Sequence, residues 1–522
     1  MNTHFLGRSR DKNVYRVRKT SYHSGLSMQH EIETILSVLI FVFSICLLPY
    51  SIRTLVLLKA IKSKSSDYSS CYDFANPFKA KLSFPNSNCN SDPQQNFSRA
   101  ITQDNRKEVG FRPFISVLVA THNERIVLDR LMRSLESLTY ARDKFEIIIV
   151  DDSNDGTYDL LCRWTLAITN LKVIRRKARI GWKGGALNIA LENLNEKSQY
   201  VLVADADTCF IYDTLEKFAF FLTRSIARGL IVSVVQGYPI SVVFPKHRGL
   251  DGDYHLFHKD ININWIARGI SFRLAQRNIL EFFGKELLNL PLQITGSLFM
   301  IRTDLIKLLR FKPGLTEDWD LTLDVYLSSH SNYASSVYTN NHDTGSGSFS
   351  SQKKVVAFNP NIISYCEATT KLRSYCKQRM RVSEGHTRSF RSNIASILKY
   401  KAPFTHRLEL FLNGLQYAKF IGVLTLILLD SLALLVGGFD FFAKTDLVKI
   451  SLLFQTISLL VDFLTKFITI GCYSSSRLER YTIWDAIYST SLSVFTMPAL
   501  VLGSLRGFCR QDGFFYRTER NT

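Results

Sequence analysis

Paired thiols are missing from this sequence. Its nine cysteines, Cys46, Cys71, Cys89, Cys162, Cys209, Cys366, Cys376, Cys472 and Cys509, are scattered, and none forms a Cys-x-x-Cys pair. That scatter favours reduced thiols in a protein facing the cytosol over a disulfide framework. Cys71 and Cys89 can pair only if their loop lies outside. Zinc-finger spacing, a heptad run with a basic region and an aromatic RNA-binding signature are also missing, so no nucleic-acid partner is expected. No internal repeat is evident, which argues against a solenoid. Acidic residues are the minority charge: 65 Lys and Arg stand against 45 Asp and Glu, a formal net charge of +20. Such an excess points to an anionic partner, and composition alone leaves nucleic acid, an anionic membrane face and a phosphate-bearing substrate open.

Apolar sequence is abundant, 46% of the 522 residues, and it is concentrated in runs. Residues 1–33 are polar and basic and read as a disordered N-terminus. The apolar run 34–58 is long enough to cross a bilayer, which takes about 20 residues. It starts too late and runs too long for a simple signal peptide. A polar linker is expected over 59–110, a cytosolic α/β domain over 111–400, transmembrane and interfacial helices over 401–505 and a cytosolic tail over 506–522. The C-terminal apolar runs are 417–436, 447–470 and 483–505. The third is the most polar and contains Asp485; an interfacial position for it keeps Arg506, Arg510, Arg517 and Arg520 inside. One crossing at 34–58 then leaves the basic N-terminus outside, against the positive-inside tendency.

Within 111–400, the runs 114–120, 145–150, 171–174 and 200–203 read as buried strands, and 127–138, 157–168 and 184–194 as helices. Strands alternating with helices imply a doubly wound, mostly parallel sheet, in which ligands bind at the carboxyl ends of strands. Asp151-Asp152 and Asp205-Ala206-Asp207 both fall at such ends. Amphipathic helices with many basic groups are expected over 245–290, a strand and a helix over 293–309, a helix opening at Thr316 and a basic helix over 371–400.

Asp205 and Asp207 at a strand end can hold a divalent cation from one side and leave its other positions to phosphate oxygens; an acidic turn fits the same residues. Thr316-Glu317-Asp318 suits an N-cap with an acidic first turn, and equally a general base set apart from the metal pair. Gln378-Arg379-Met380-Arg381 is either a solvated basic face or a guanidinium clamp on a diphosphate. Lys183 in Gly181-Trp182-Lys183-Gly184-Gly185 can do similar work, its glycines admitting a phosphate to the backbone, or the stretch is a surface turn.

Taken in order along the chain, these motifs resemble the family 2 glycosyltransferases, in particular the processive membrane-bound branch of cellulose, mannan, chitin and hyaluronan synthases. The resemblance covers residues 112–390. It implies a GT-A type nucleotide-diphospho-sugar transferase domain with flanking transmembrane helices, and inverting transfer from a UDP- or GDP-sugar to a growing polysaccharide. The implied cofactor is Mg2+ or Mn2+; the implied partners are a nucleotide-sugar donor, a glycan acceptor and the lipid bilayer. Carried over by residue, it implies donor binding by Thr121, Asn123 and Glu124, by Asp152 at the nucleotide base, by Lys183 and Asp205, and by Gln378, Arg379 and Arg381. It implies metal binding by Asp205 and Asp207, an acceptor side at Gly296, Ser297, Glu317 and Trp319, and Asp318 as the base. Val382 departs from the family's Gln-x-x-Arg-Trp motif, whose tryptophan stacks on the acceptor sugar. Phe515-Tyr516-Arg517-Thr518-Glu519-Arg520 resembles a gating motif, with Glu519 in place of a basic residue.

Two other readings stay open. Val382 leaves room for transfer of a single sugar to a lipid phosphate carrier. A non-catalytic membrane scaffold with a transferase-like domain is opposed by the intact Asp152, Asp205, Asp207, Asp318 and Arg381.

Overall fold

The computed structural model describes residues 28–64, 112–244, 264–328, 352–473 and 480–510. They fall into two units, one holding the described residues through Leu55 with Ala418–Leu464, the other Val56–Tyr417 with the described residues from Thr465 onward. Residues 1–27, most of the expected linker with Cys71 and Cys89, and the gating-like 515–520 lie outside the described residues. Helix α1 (Met28–Ser63) opens the described chain.

The larger unit is built on eight strands: β1 (Ile115–Thr121), β2 (Phe145–Asp151), β3 (Leu171–Arg175), β4 (Tyr200–Asp205), β5 (Cys209–Phe210), β6 (Leu230–Val242), β7 (Phe299–Arg302) and β8 (Gln352–Glu367). They lie in the order β3-β2-β1-β4-β7-β6-β8-β5. Helices α2 (Arg125–Glu136), α3 (Thr157–Trp164), α4 (Trp182–Glu192) and α5 (Thr214–Ala227) belong to the first half. β1 and β2 are apolar at almost every position because both faces of the sheet are covered. Leu118, Ile148 and Val203 enter one core; Val117, Ile149 and Leu202 enter the other. β3, β2, β1 and β4 run parallel, so their carboxyl ends share one edge. The register sets Thr121 beside Asp151 and Ala120 beside Asp205.

Beyond β4 the sheet is mixed. β7 pairs antiparallel with both β4 and β6, β6 pairs parallel with β8, and β5 closes antiparallel on β8. The parallel-dominated α/β expectation holds, but β6 and β8 have no counterpart among the elements read from the sequence. β7 supplies the strand expected within 293–309; it starts at Phe299, and 293–298 before it is an irregular segment. Because β7 runs back along β4, that segment lies at the carboxyl end of β4, where a parallel strand would have placed its far end.

The expected basic helices resolve as α6 (Trp265–Arg277) and a π-helical turn (Asn278–Gly284); 245–263 lies outside the described residues. α7 (Thr303–Leu309), α8 (Glu317–Ser328), α9 (Leu372–Lys399) and α10 (Phe404–Gly414) follow. The smaller unit contains the first part of α1, α11 (Lys419–Lys444) and most of α12 (Asp446–Tyr473). Its small core joins Leu36, Ile40, Leu426, Ala433, Phe441 and Val448. Leu435 and Phe439 are more than four-fifths exposed (83% and 82%), a surface suited to lipid.

α1, α11, α12 and α13 (Ile483–Cys509) are each long and apolar enough to cross a membrane. α13, the run expected at the interface, has the length of a span, yet one face is occupied within its own unit. A Cβ at Gly503 would stand 2.4 Å from the Met380 carbonyl oxygen of α9, and one at Gly507 2.6 Å from that of Glu384. The Asp485 carboxylate is paired twice with Arg268 of α6, each contact 2.6 Å.

Candidate active site

The ends of β1 and β2 are tied together by short polar links. Thr121 Oγ1 donates to the buried Asp151 carboxylate (2.8 Å), and the Asn123 N–H donates to Ser153 Oγ (2.7 Å). The Glu124 carbonyl accepts the first N–H groups of α2. Asp151 is spent on this network. Asp152 is held by Arg176, whose Nε lies 2.6 Å away and whose other nitrogens donate to the Ile180 and Trp182 carbonyls. The turn before α4 is thereby fixed to the end of β2. At Gly185 a Cβ would stand 2.1 Å from the Ile180 carbonyl oxygen, so this glycine is required by the turn's own backbone. Phosphate approach, the reason expected from the sequence, is not needed to explain it.

That turn aims Lys183 at the end of β4. Its ammonium lies 2.6 Å from Asp205 Oδ1, 2.6 Å from the Gly296 carbonyl and 3.1 Å from Glu317 Oε1. Gly296 is central: a Cβ built there would stand 3.3 Å from Lys183 Nζ, 3.7 Å from Asp318 Oδ2 and 3.9 Å from Glu317 Oε1. Ser297 accepts from the Asp205 N–H (3.1 Å) and bonds Thr208 Oγ1 (2.9 Å). Lys183, Asp205, Gly296, Ser297, Glu317 and Asp318, drawn from α4, β4, the segment before β7 and α8, therefore share one site.

Asp205 and Asp207 fit a divalent cation. Asp205 already holds a positive group on one oxygen, its side chain is 42% exposed, and no cluster of three or more metal-ligating side chains closes a cage among the described residues. The open positions suit a cation shared with a ligand's phosphate oxygens.

The electrostatics divide the carboxylates. Burial disfavours the Lys183 ammonium, but the Asp205 and Glu317 charges outweigh it and raise its pKa. Burial, and then the Glu317 charge, push Asp318 up to about 7, against Lys183 and the Trp319 N–H that donates to it at 2.8 Å. A carboxyl poised near neutrality suits proton transfer.

Trp319 does not line an acceptor site. It is fully buried, stacked on His386 with ring centroids 4.3 Å apart. Burial pulls His386 down to about 3, against the bond from its Nε2 to the Asn413 carbonyl (2.8 Å). Nor does Thr316 cap α8 with its side chain: its Oγ1 is buried without a partner among the described residues. It is pressed instead against Gly385 of α9, where a Cβ would stand 2.9 Å from that oxygen and 2.7 Å from Leu315 Cβ. Gln378 and Arg381 are half-buried on α9. Arg379 has its guanidinium 5.2 Å over the Tyr417 ring.

Two site residues escape the sequence reading. Gln236, fully buried in β6, donates to the Ser297 and Leu298 carbonyls (3.2 Å each) and accepts from the Thr295 N–H (2.9 Å). A lone amide in the apolar run Val234-Val235-Gln236 was its signal. Arg277 closes α6 within electrostatic reach of Arg379, Tyr417 and Asp318. Nothing in its local sequence sets it apart.

Residues 116–282 match the family described as Glycosyl transferase family 2. The chain is 29% identical over 230 residues to a probable glycosyltransferase, YdaM, of Bacillus subtilis, covering 43% of this chain and 48% of that one. It is 39% identical over 108 residues to a beta-monoglucosyldiacylglycerol synthase of Trichormus variabilis, covering 20% of this chain and 23% of that one. The chain thus spans less than half the length of these two relatives. The fold matches the mannosyltransferase PcManGT of Pyrobaculum calidifontis, solved with GDP-Man and Mn2+, at a TM-score of 0.50 and 16% identity, covering 91% of this chain and all of that one. Residues 116–282 form a glycosyl transferase family 2 domain, set in an α/β fold of the GT-A type.

Proposed function

We propose that the chain is a membrane-anchored inverting glycosyltransferase that moves a sugar from a UDP- or GDP-sugar to a glycan acceptor. The observation that carries this reading is the meeting of Lys183, Asp205 and Glu317 around Gly296, with Asp318 alongside. Asp318 takes the proton of the acceptor hydroxyl; that oxygen bonds to the anomeric carbon as the bond from that carbon to the diphosphate oxygen breaks, and the nucleoside diphosphate leaves. Asp205 and Asp207 would hold Mg2+ or Mn2+, which when bound neutralises phosphate charge. Lys183, Gln378, Arg379 and Arg381 hold the leaving group, while Thr121, Asn123, Glu124 and Asp152 serve the nucleoside end. Gly296, Ser297 and Glu317 shape the acceptor side. The α/β domain faces the cytosol, where nucleotide sugars are made.

Extension of a polysaccharide is the first acceptor reading. Transfer of one sugar to a lipid phosphate carrier is the second, and two observations favour it: Val382 offers no ring for a sugar to stack on, and Trp319 is too deeply buried to replace one. The test is nucleoside diphosphate release from membranes carrying the chain, across a panel of UDP- and GDP-sugars with either metal. Metal-dependent release from one donor, reduced about 10²–10⁴-fold by Asp318→Asn, supports the proposal. Equal release from wild type and variant removes Asp318 from the mechanism. Sizing the product separates the two acceptors.

A further inference from the structure

Glu317 and Asp318 are flanked by two contacts with α9. On one side Gly385 presses on Thr316: a Cβ there would stand 2.9 Å from Thr316 Oγ1. On the other, the next residue of α9, His386, stacks on Trp319, with ring centroids 4.3 Å apart and planes 19° from parallel. The Trp319 N–H donates to Asp318 Oδ1 (2.8 Å), so whatever holds Trp319 holds the proposed base. No hydrogen bond holds the indole: its Nε1 is buried without a partner among the described residues. Its place is set by contact, and the imidazole covers one face.

A phenylalanine would fill the same space without the cost of burying a polar ring. What the imidazole adds is a nitrogen at its edge. Its Nε2 donates to the Asn413 carbonyl (2.8 Å), and the Gln416 side-chain amide stands 3.1 Å from the same nitrogen. The Tyr417 ring meets the imidazole edge to face, with centroids 5.0 Å apart. Asn413 is itself fixed: its Oδ1 accepts from the buried Lys285 ammonium (3.1 Å), which pairs with Glu281 and Glu409 at 2.8 Å each. Residues 413–417 carry the chain from the end of α10 towards α11, which starts at Lys419. His386 therefore joins that segment to the helix that bears Asp318.

We propose that His386 is a positioning residue: it grips Trp319, and with it Asp318, from the segment by which the chain enters α11. The inference rests on the transferase reading above and adds to it what holds the base in place. An imidazole that only filled the core would affect stability. One that aims the base affects turnover, because a misplacement of about 1 Å can cost about 10²-fold.

Nucleoside diphosphate release from membranes carrying the full chain tests this, with the UDP- or GDP-sugar that the wild type turns over. Turnover at saturating donor and equilibrium binding of that donor are both measured per folded protein. We expect His386→Ala to lower turnover about 10- to 100-fold and to leave donor binding unchanged. His386→Phe keeps a ring against Trp319 and loses the bonds to Asn413 and Gln416, so it should recover part of that loss and no more. Gln416→Leu, which leaves the stack alone, should lower turnover about three- to tenfold. The assignment is overturned if folded His386→Ala turns over donor like the wild type, if donor binding falls in step with turnover, or if His386→Phe or Gln416→Leu matches the wild type. Should His386→Ala fail to fold, the other two variants decide, since both keep the core filled. Normal turnover in the variants overturns the positioning role and leaves the transferase reading standing; a wild type silent with every donor overturns both.

Discussion

As the proposed base, Asp318 needs its charge to accept a proton, and its pKa is pushed up to about 7 by burial and by Glu317. The rate at limiting substrate should therefore fall about tenfold per pH unit below that value and level off above it. Glu317→Gln removes a raising influence, so the acid limb should move to lower pH; a pH–rate profile that moves the other way would remove Asp318 as the titrating group. His386 does not confuse the measurement, since burial keeps it neutral down to about 3. At this scale the sequence was informative wherever a residue type carried its own signature. The acidic pair after an apolar strand and the Thr316-Glu317-Asp318 opening were both legible, and the structure brings Asp205 and Asp318 to one site. Trp319 was misread because its role depends on which way α8 turns it, and that is set by His386, 67 positions away in the chain. Arg277 was invisible because a buried arginine and a solvated one look alike in sequence.

The α8 and α9 elements meet without room to spare at Gly385. Gly385→Ala should gain about 1 kcal/mol of helix propensity and lose about 1–3 kcal/mol to overpacking against Leu315 and Thr316. The net effect on stability runs from neutral to a loss of about 2 kcal/mol, and because the start of α8 carries Asp318, the activity of the folded fraction should drop about tenfold or more. Wild-type activity in this variant would show that the contact does not position the base. The strands β1, β2, β3 and β4 were legible because buried parallel strands leave continuous apolar runs. β6 and β8 were not. β6 is long and interrupted by Gln236 and Gly237, and β8 carries polar residues along much of its length. Their pairing partners lie far along the chain, where local pattern says nothing. The strand and helix expected over 293–309 are present as β7 and α7, and the antiparallel return of β7 puts the segment before it, 293–298, at the site.

For the whole molecule, four helices among the described residues are long and apolar enough to cross a membrane, and their composition leaves the orientation open. Cys162 is exposed on α3 of the α/β domain. In intact cells a membrane-impermeant maleimide should leave it unlabelled until the membrane is opened; labelling in intact cells would place the domain outside. The seam between α9 and α13 has a wider effect. Where glycines bring two helix backbones this close, neither helix can tilt alone. One helix carries Gln378 and Arg381; the other is long and apolar enough to match a bilayer. The thickness of the surrounding lipid then becomes a variable of catalysis. Bilayers of increasing acyl-chain length, by changing the tilt of α13, should change turnover while leaving nucleotide affinity at the β1–β2 edge nearly constant. Identical turnover across short- and long-chain lipids would mean that the seam holds the domain in place without passing tilt on to it.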